Sequence, residues 1–134
     1  MNRLGIMVVD DSALTVKRLV TMLEQLGHEV IKTCKSGLEA VQTIEYLVNK
    51  ARSLPDLITM DITMPDMDGI EATRRILTVA PQALIIMVTS HGQEQMVMDA
   101  IAAGAKGYVL KPIKQDKLQE SIKKVMTHYS REQE

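Results

Sequence analysis

Neither phenylalanine nor tryptophan occurs in this chain, and only three tyrosines are present. Without aromatic platforms there is no surface on which bases stack, so nucleic-acid binding loses ground. The core must be aliphatic and thioether-filled, and ten methionines are available for it. A single cysteine, Cys34, excludes an internal disulfide framework and points to a reducing compartment. Net charge is also nearly absent: 16 Lys plus Arg stand against 17 Asp plus Glu, so no global field favours nucleic acid or an anionic membrane. The longest strongly apolar run, Ala83 to Val88, is far short of the roughly 20 residues a membrane span needs. The charged start lacks the apolar segment of a signal peptide. These absences lead to the expectation of a cytoplasmic monomer without membrane insertion or a nucleic-acid partner. A length of 134 residues fits one domain, 1–134, with no linker, repeat or low-complexity tract and with residues 130–134 expected as a frayed tail.

What is present centres on Asp56 to Gly69, DLITMDITMPDMDG. Leu57, Ile58 and Met60 suit a buried strand that delivers Asp61 at its carboxyl end, and Pro65, Asp66, Asp68 and Gly69 turn the chain away. Open α/β sheets bind ligands at such strand ends. Asp61 is therefore the candidate nucleophile.

The other elements follow from apolar spacing and caps. Leu4 to Val9 reads as strand one, halting at Asp10 and Asp11, and Ser12 caps a helix carrying Val16, Leu19, Val20, Leu23 and Leu26 up to Gly27. Val30 to Thr33 is strand two, and Ser36 with Glu39 forms a capping box for a second helix that Pro55 limits. Leu57 to Met60 is strand three, and Asp68 with Glu71 is a second capping box before a helix closed by Pro81. Leu84 to Val88 is strand four, Glu94 to Ala103 a helix ended by Gly104, Tyr108 to Leu110 strand five, and Leu118, Ile122, Val125 and Tyr129 the stripe of a last helix. Alternating strands and helices imply a doubly wound α/β fold with a five-stranded parallel sheet.

Four of the five strands end in chemistry: Asp10 and Asp11, then Asp61, then Thr89 and Ser90, then Lys111 and Pro112. In the order 2-1-3-4-5 these four are contiguous and the silent strand two lies at an edge, so the polar groups share one crevice. Clustered carboxylates repel and take up a proton or a cation. Oxygen ligands without His or Cys select magnesium, whose waters leave room for a phosphate oxygen. A carboxylate is a nucleophile toward phosphorus, and Lys111, the Thr89 hydroxyl and the ion would orient and neutralise the phosphoryl oxygens.

Asp10-Asp11, Asp61 in MDITMPDMDG, Thr89 and Lys111-Pro112 together resemble the receiver domains of two-component response regulators, and the overall form is similar to the stand-alone chemotaxis-type regulators. The resemblance covers nearly the whole chain. It implies a flavodoxin-like (βα)5 fold and a phosphoryl group accepted on Asp61 from a histidine kinase or phosphotransfer protein. It further implies magnesium held by Asp11, Asp61 and the main-chain carbonyl of Thr63, with Asp10 acting through a water. Thr89 and Tyr108 would be paired switch residues that alter binding of a downstream protein through helix four, strand five and helix five. The bond before Pro112 would be cis. Thr63 stands where Asn is frequent, and His91, two beyond Thr89, also flanks the site.

Two other functions compete. A magnesium-dependent phosphohydrolase of the haloacid-dehalogenase type would carry its aspartyl nucleophile after strand one, whereas Asp61 follows strand three and no insertion forms a substrate cap. An unphosphorylated interaction module would not need Asp11, Asp61, Thr89 and Lys111 intact. The expectation is thus a phosphoryl acceptor and not an enzyme. Asp10 and Asp11, taken alone, read as helix caps, and Asp66 and Asp68 as turn and cap. A calcium loop fails, because with Gly69 sixth the first and twelfth positions are Met64 and Arg75. His28, His128 and Cys34 have no spaced partners. Met96 and Met98 suit either partner contact or core filling.

Overall fold

The computed structural model describes residues 3–129, and the tail expected at 130–134 lies outside them. Strands and helices alternate as β1 (Gly5–Val9), α1 (Ala13–Gln25), β2 (Glu29–Cys34), α2 (Gly37–Asn49), β3 (Leu57–Met60), α3 (Gly69–Val79), β4 (Ile85–Thr89), α4 (Glu94–Ala103), β5 (Gly107–Leu110) and α5 (Gln115–Tyr129). The sheet order is β2-β1-β3-β4-β5, and every pairing is parallel. This is the flavodoxin-like arrangement that the sequence implied. Boundaries move by a residue or so: β2 and β4 each run one residue further, to Cys34 and Thr89, because the ladder with the neighbouring strand continues past the apolar run.

Side chains that alternate along each central strand feed two cores. Met7, Val9, Ile58, Met60, Ile85 and Met87 pack on the α2–α3 side with Ile44 and Ile76. Ile6, Val8, Leu57, Ile86 and Val88 pack on the α1–α5 side with Leu19, Leu23, Leu118 and Ile122. Burial on both faces is why these strands read as continuous apolar runs, the signature of a covered parallel sheet.

Three of the helix starts carry a side-chain cap. Ser12 Oγ accepts from Thr15 N, Ser36 Oγ from Glu39 N and Asp68 Oδ1 from Glu71 N. Each contributes about 1 kcal/mol. The reciprocal halves of the expected boxes differ. Glu39 reaches back to the Lys35 N–H, one residue early, and Glu71 turns to Arg74 and Arg75, whose guanidinium groups hold its carboxyl below the ordinary range. The second box is therefore a single cap, because two cations outbid one backbone donor. At α4 the N-cap residue is Gln93, with no side-chain cap bond.

Pairing continues past the last strand residues and sets the crevice. Asp10 N donates to Cys34 O at 3.0 Å, Asp61 N to Val9 O at 3.0 Å and Lys111 N to Thr89 O at 2.9 Å. Asp10, Asp61 and Lys111 are thus each tied to the last residue of an adjacent strand. Register alone aligns them.

Within this packing the Thr59 hydroxyl is fully buried and has no hydrogen-bond partner among the described residues. An unpaired buried hydroxyl is unfavourable by about 1 kcal/mol or more, and valine keeps its shape and its strand preference. Thr59→Val should raise unfolding free energy by about 1 kcal/mol in urea melts. A variant less stable than the parent would show that the hydroxyl is satisfied.

Candidate functional site

Asp61 is 7% exposed, and its Oδ1 accepts the Ile62 N–H at 2.9 Å. Its Oδ2 lies 3.5 Å from Lys111 Nζ, the same ammonium that meets Asp10 Oδ2 at 2.9 Å. Asp10 is 1% exposed and spends its other oxygen on the Ser12 N–H at 2.9 Å. Asp11 is exposed, yet one oxygen from each of Asp10, Asp11 and Asp61 falls within a 4.8 Å group. The strand-end prediction for these three acids and Lys111 thus becomes a real constellation.

Charge in this pocket does not balance. Two unit charges about 4 Å apart near a protein surface interact by about 4 kcal/mol. Three acids make three repulsive pairs, while the ammonium makes two close attractive ones, with Asp10 and Asp61. Asp61 registers the deficit: burial first, then the Asp10 charge, lift its carboxyl above the ordinary range, against Lys111, the Ile62 N–H and the Thr89 side chain. The excess of two negative charges suits a divalent ion. An all-oxygen acidic set without His or Cys fits magnesium. Asp10, Asp11 and Asp61 are the side chains able to hold it among the described residues.

Thr89 is fully buried, and its Oγ1 accepts a long 3.4 Å contact from His91 N. Its side chain also faces the Asp61 carboxyl, so the hydroxyl already stands beside the acid it is expected to serve. Tyr108 is half-buried on β5, its OH donating to the His91 carbonyl at 2.6 Å, and burial pushes its phenol upward, helped by the Asp61 charge. His91 therefore joins the two expected switch residues. Its ring reaches the other way, with Nε2 2.6 Å from Thr63 Oγ1, bridging the β3–α3 and β4–α4 loops. Only the unusual identities at 63 and 91 hinted at this bridge, since residues 28 apart give no periodic signal.

The residues set aside behave accordingly. Asp68 caps α3 and Asp66 occupies a left-handed turn position, φ 69°. His28 is buried, with Nδ1 accepting the Leu4 N–H at 3.2 Å, and Cys34 is buried with its thiol raised chiefly by desolvation. Met96 and Met98 divide: Met96 packs on the core and Met98 is 55% exposed. The Lys111-Pro112 bond is cis.

A family model, the response regulator receiver domain, matches residues 6–123. The chain is similar to the chemotaxis protein CheY of Bacillus subtilis, 41% identical over 121 residues, covering 90% of this chain and 96% of the relative. The Thermotoga maritima CheY is 38% identical over 120 residues, covering 90% and 95%. Among solved structures, a CheX-CheY-BeF3-Mg2+ complex from Borrelia burgdorferi superposes with a TM-score of 0.83 at 34% identity, over 92% of this chain and 89% of that one. The chain belongs to the response regulator receiver family, in its CheY-like form. No helix among the described residues is long and apolar enough to cross a membrane.

The raised Asp61 value makes a stability prediction. The folded state binds this proton more tightly than the unfolded chain, so ionised Asp61 opposes folding, an effect that appears as pH rises from about 4 through the native value. In magnesium-free buffer Asp61→Asn should therefore unfold at higher urea than the parent at pH 7, with the gap shrinking toward pH 4. A variant no more stable at pH 7 would mean that Lys111 outweighs burial and Asp10.

Proposed function

We propose that this chain, as a single receiver domain over 1–134, accepts a phosphoryl group on Asp61 from a histidine kinase or phosphotransfer protein. The observation that carries the reading is Asp61 itself, a carboxylate recessed at a strand end with Lys111 Nζ at 3.5 Å and two further acids within ligand range. A carboxylate oxygen attacks phosphorus in line, the P–O bond to Asp61 forms as the P–N bond of the phosphohistidine breaks, and the leaving imidazole takes a proton from solvent. Lys111 exchanges its ion pair for a phosphoryl oxygen, and the Thr89 hydroxyl donates to another. Magnesium, when bound, supplies positive charge to the phosphoryl oxygens. Asp11, Asp61 and the Thr63 carbonyl would hold it, and Asp10 would act through a water while its bond to Lys111 keeps that ammonium aimed at Asp61. The relative solved with BeF3 and Mg2+ supports this assignment.

The signal leaves through α4, β5 and α5. Thr89 lies at the end of β4, and turning its side chain toward a phosphoryl oxygen draws Oγ1 away from the already long contact with His91 N, loosening the loop on which Tyr108 leans. That loop runs into α4, whose start lacks a side-chain cap and is easily re-seated. Met98 and Ile101 on α4 and Leu110 on β5 are exposed, at least 50% each, and Leu110 lines a groove of about 750 Å3 together with Lys114, Lys117 and Lys124. Such a surface suits a protein target that distinguishes the two loop arrangements. Participation in chemotaxis follows the curated relatives. The protein acts in the cytoplasm as a monomer, and it is an acceptor with at most slow self-phosphorylation and self-dephosphorylation.

Acetyl phosphate with magnesium should label the chain with one phosphoryl group by intact-mass spectrometry, and neither excess chelator nor Asp61→Asn should permit it. Labelling that survives either change removes the mechanism, and continuous phosphate release at about 1 per second or faster would favour a phosphohydrolase.

Thr89→Ala should still be labelled on Asp61 but show smaller phosphorylation-induced amide shifts across Glu94 to Met126. One or two charge-assisted hydrogen bonds, worth about 1.5 to 3 kcal/mol each, bound the available bias. Equal shifts in parent and variant would exclude the hydroxyl as the link.

A further inference from the structure

The loop between β3 and α3 is braced at three places. At its neck the Gly69 N–H donates to Ile62 O at 2.8 Å, and glycine is required there because a side chain would run into the Asp61 carbonyl. At its tip the Met67 N–H donates to Pro65 O at 2.8 Å across the left-handed Asp66. At its back the Met67 carbonyl leans on Gly37, the first residue of α2: a Cβ built on Gly37 would stand 2.5 Å from that oxygen and 3.2 Å from its carbon. The third brace comes from a different part of the chain.

Nothing in the backbone of Gly37 demands glycine. Its φ is not in the left-handed region, and glycine is the poorer helix residue, so close approach is the physical reason left. The neighbours have little room to give. One is main chain in a loop already pinned at neck and tip, and the other is the Ala72 Cβ at 3.2 Å, on a fully buried residue. A methyl group at 37 therefore bears on the Met67 peptide, four residues beyond Thr63 in the same loop.

We propose that Gly37 is a positioning residue for the magnesium site: the missing side chain on α2 fixes where the β3–α3 loop, and with it the Thr63 carbonyl, stands relative to Asp61. The inference rests on the reading that Thr63, Asp11 and Asp61 hold the ion. Its force comes from the ion's geometry. Magnesium requires near-octahedral oxygens at about 2.0–2.1 Å, whereas calcium accepts looser shells at about 2.3–2.6 Å, so a loop displaced by a few tenths of an ångström harms magnesium selectively. A glycine that served only the packing of α2 against α3 would have no such preference.

Calorimetric titration of the parent and Gly37→Ala with each ion tests this. The variant should bind magnesium about fivefold or more weakly while calcium affinity changes by less than about twofold. Unchanged magnesium affinity, or equal losses for both ions, overturns the role of Gly37 and leaves the metal assignment standing. A parent that binds no magnesium removes both. Should Gly37→Ala fail to fold, the parent alone decides: magnesium should shift the Gly37 and Leu38 amides with the same midpoint as those of Thr63 to Gly69, and not that of Gly5. Silent Gly37 and Leu38 amides at saturation would overturn the proposal.

Discussion

The mutual repulsion of Asp10, Asp11 and Asp61 is the constraint to which the rest of this molecule answers. One ammonium, on Lys111, stands against three acids, and two of those acids are buried. Such a cluster is unfavourable by itself, and folding tolerates it because the cores on both faces of the sheet stabilise the whole. The same deficit makes the pocket useful, since a divalent ion and a phosphoryl group each bring the contacts that the acids and the ammonium lack. Strain of this kind is typically retained at sites of function.

The sheet order turns this electrostatic problem into a geometric one with a simple solution. With β1, β3, β4 and β5 contiguous, the residues after the strands are aligned by the same backbone pairing that builds the sheet, as in the bond from Asp61 N to Val9 O. Asp61, the proposed nucleophile, is therefore held by the sheet's own pairing, while Thr89, His91 and Tyr108, the groups proposed to respond, are linked through one loop by a long 3.4 Å contact and a short 2.6 Å one. The proposed acceptor and the proposed reporters are separated by strand. The Thr63–His91 bridge is the exception, tying the β3–α3 loop to the β4–α4 loop.

Legibility in the sequence followed the range of the interaction. Ser12, Ser36 and Asp68 act on residues three positions away, and all three caps stand where spacing put them. The apolar strands were readable because a parallel sheet buried on both faces leaves runs such as Leu57 to Met60 with no polar interruption but one threonine. Asp10, Asp61 and Lys111 were legible only jointly, since each has an ordinary reading alone and four strand ends together do not. What escaped was long-range and individual: Asp56 accepting the Gly5 N–H at 2.7 Å, His28 accepting from Leu4, and Gly37 yielding to the Met67 carbonyl. No periodicity encodes these contacts, because each depends on how two segments distant in the chain meet. Glu71 shows the remaining kind of miss, where a local motif was present and nearby arginines competed for it.

The central claim is that the phosphoryl group resides on one particular carboxylate among three that crowd together. Borohydride reduces an aspartyl phosphate to homoserine, so phosphorylating the chain, reducing it and mapping the peptides by mass spectrometry reads out the position directly. The account predicts homoserine at position 61 and at neither 10 nor 11. Reduction at Asp10 or Asp11, or none at all in a chain that carries phosphate, would contradict it.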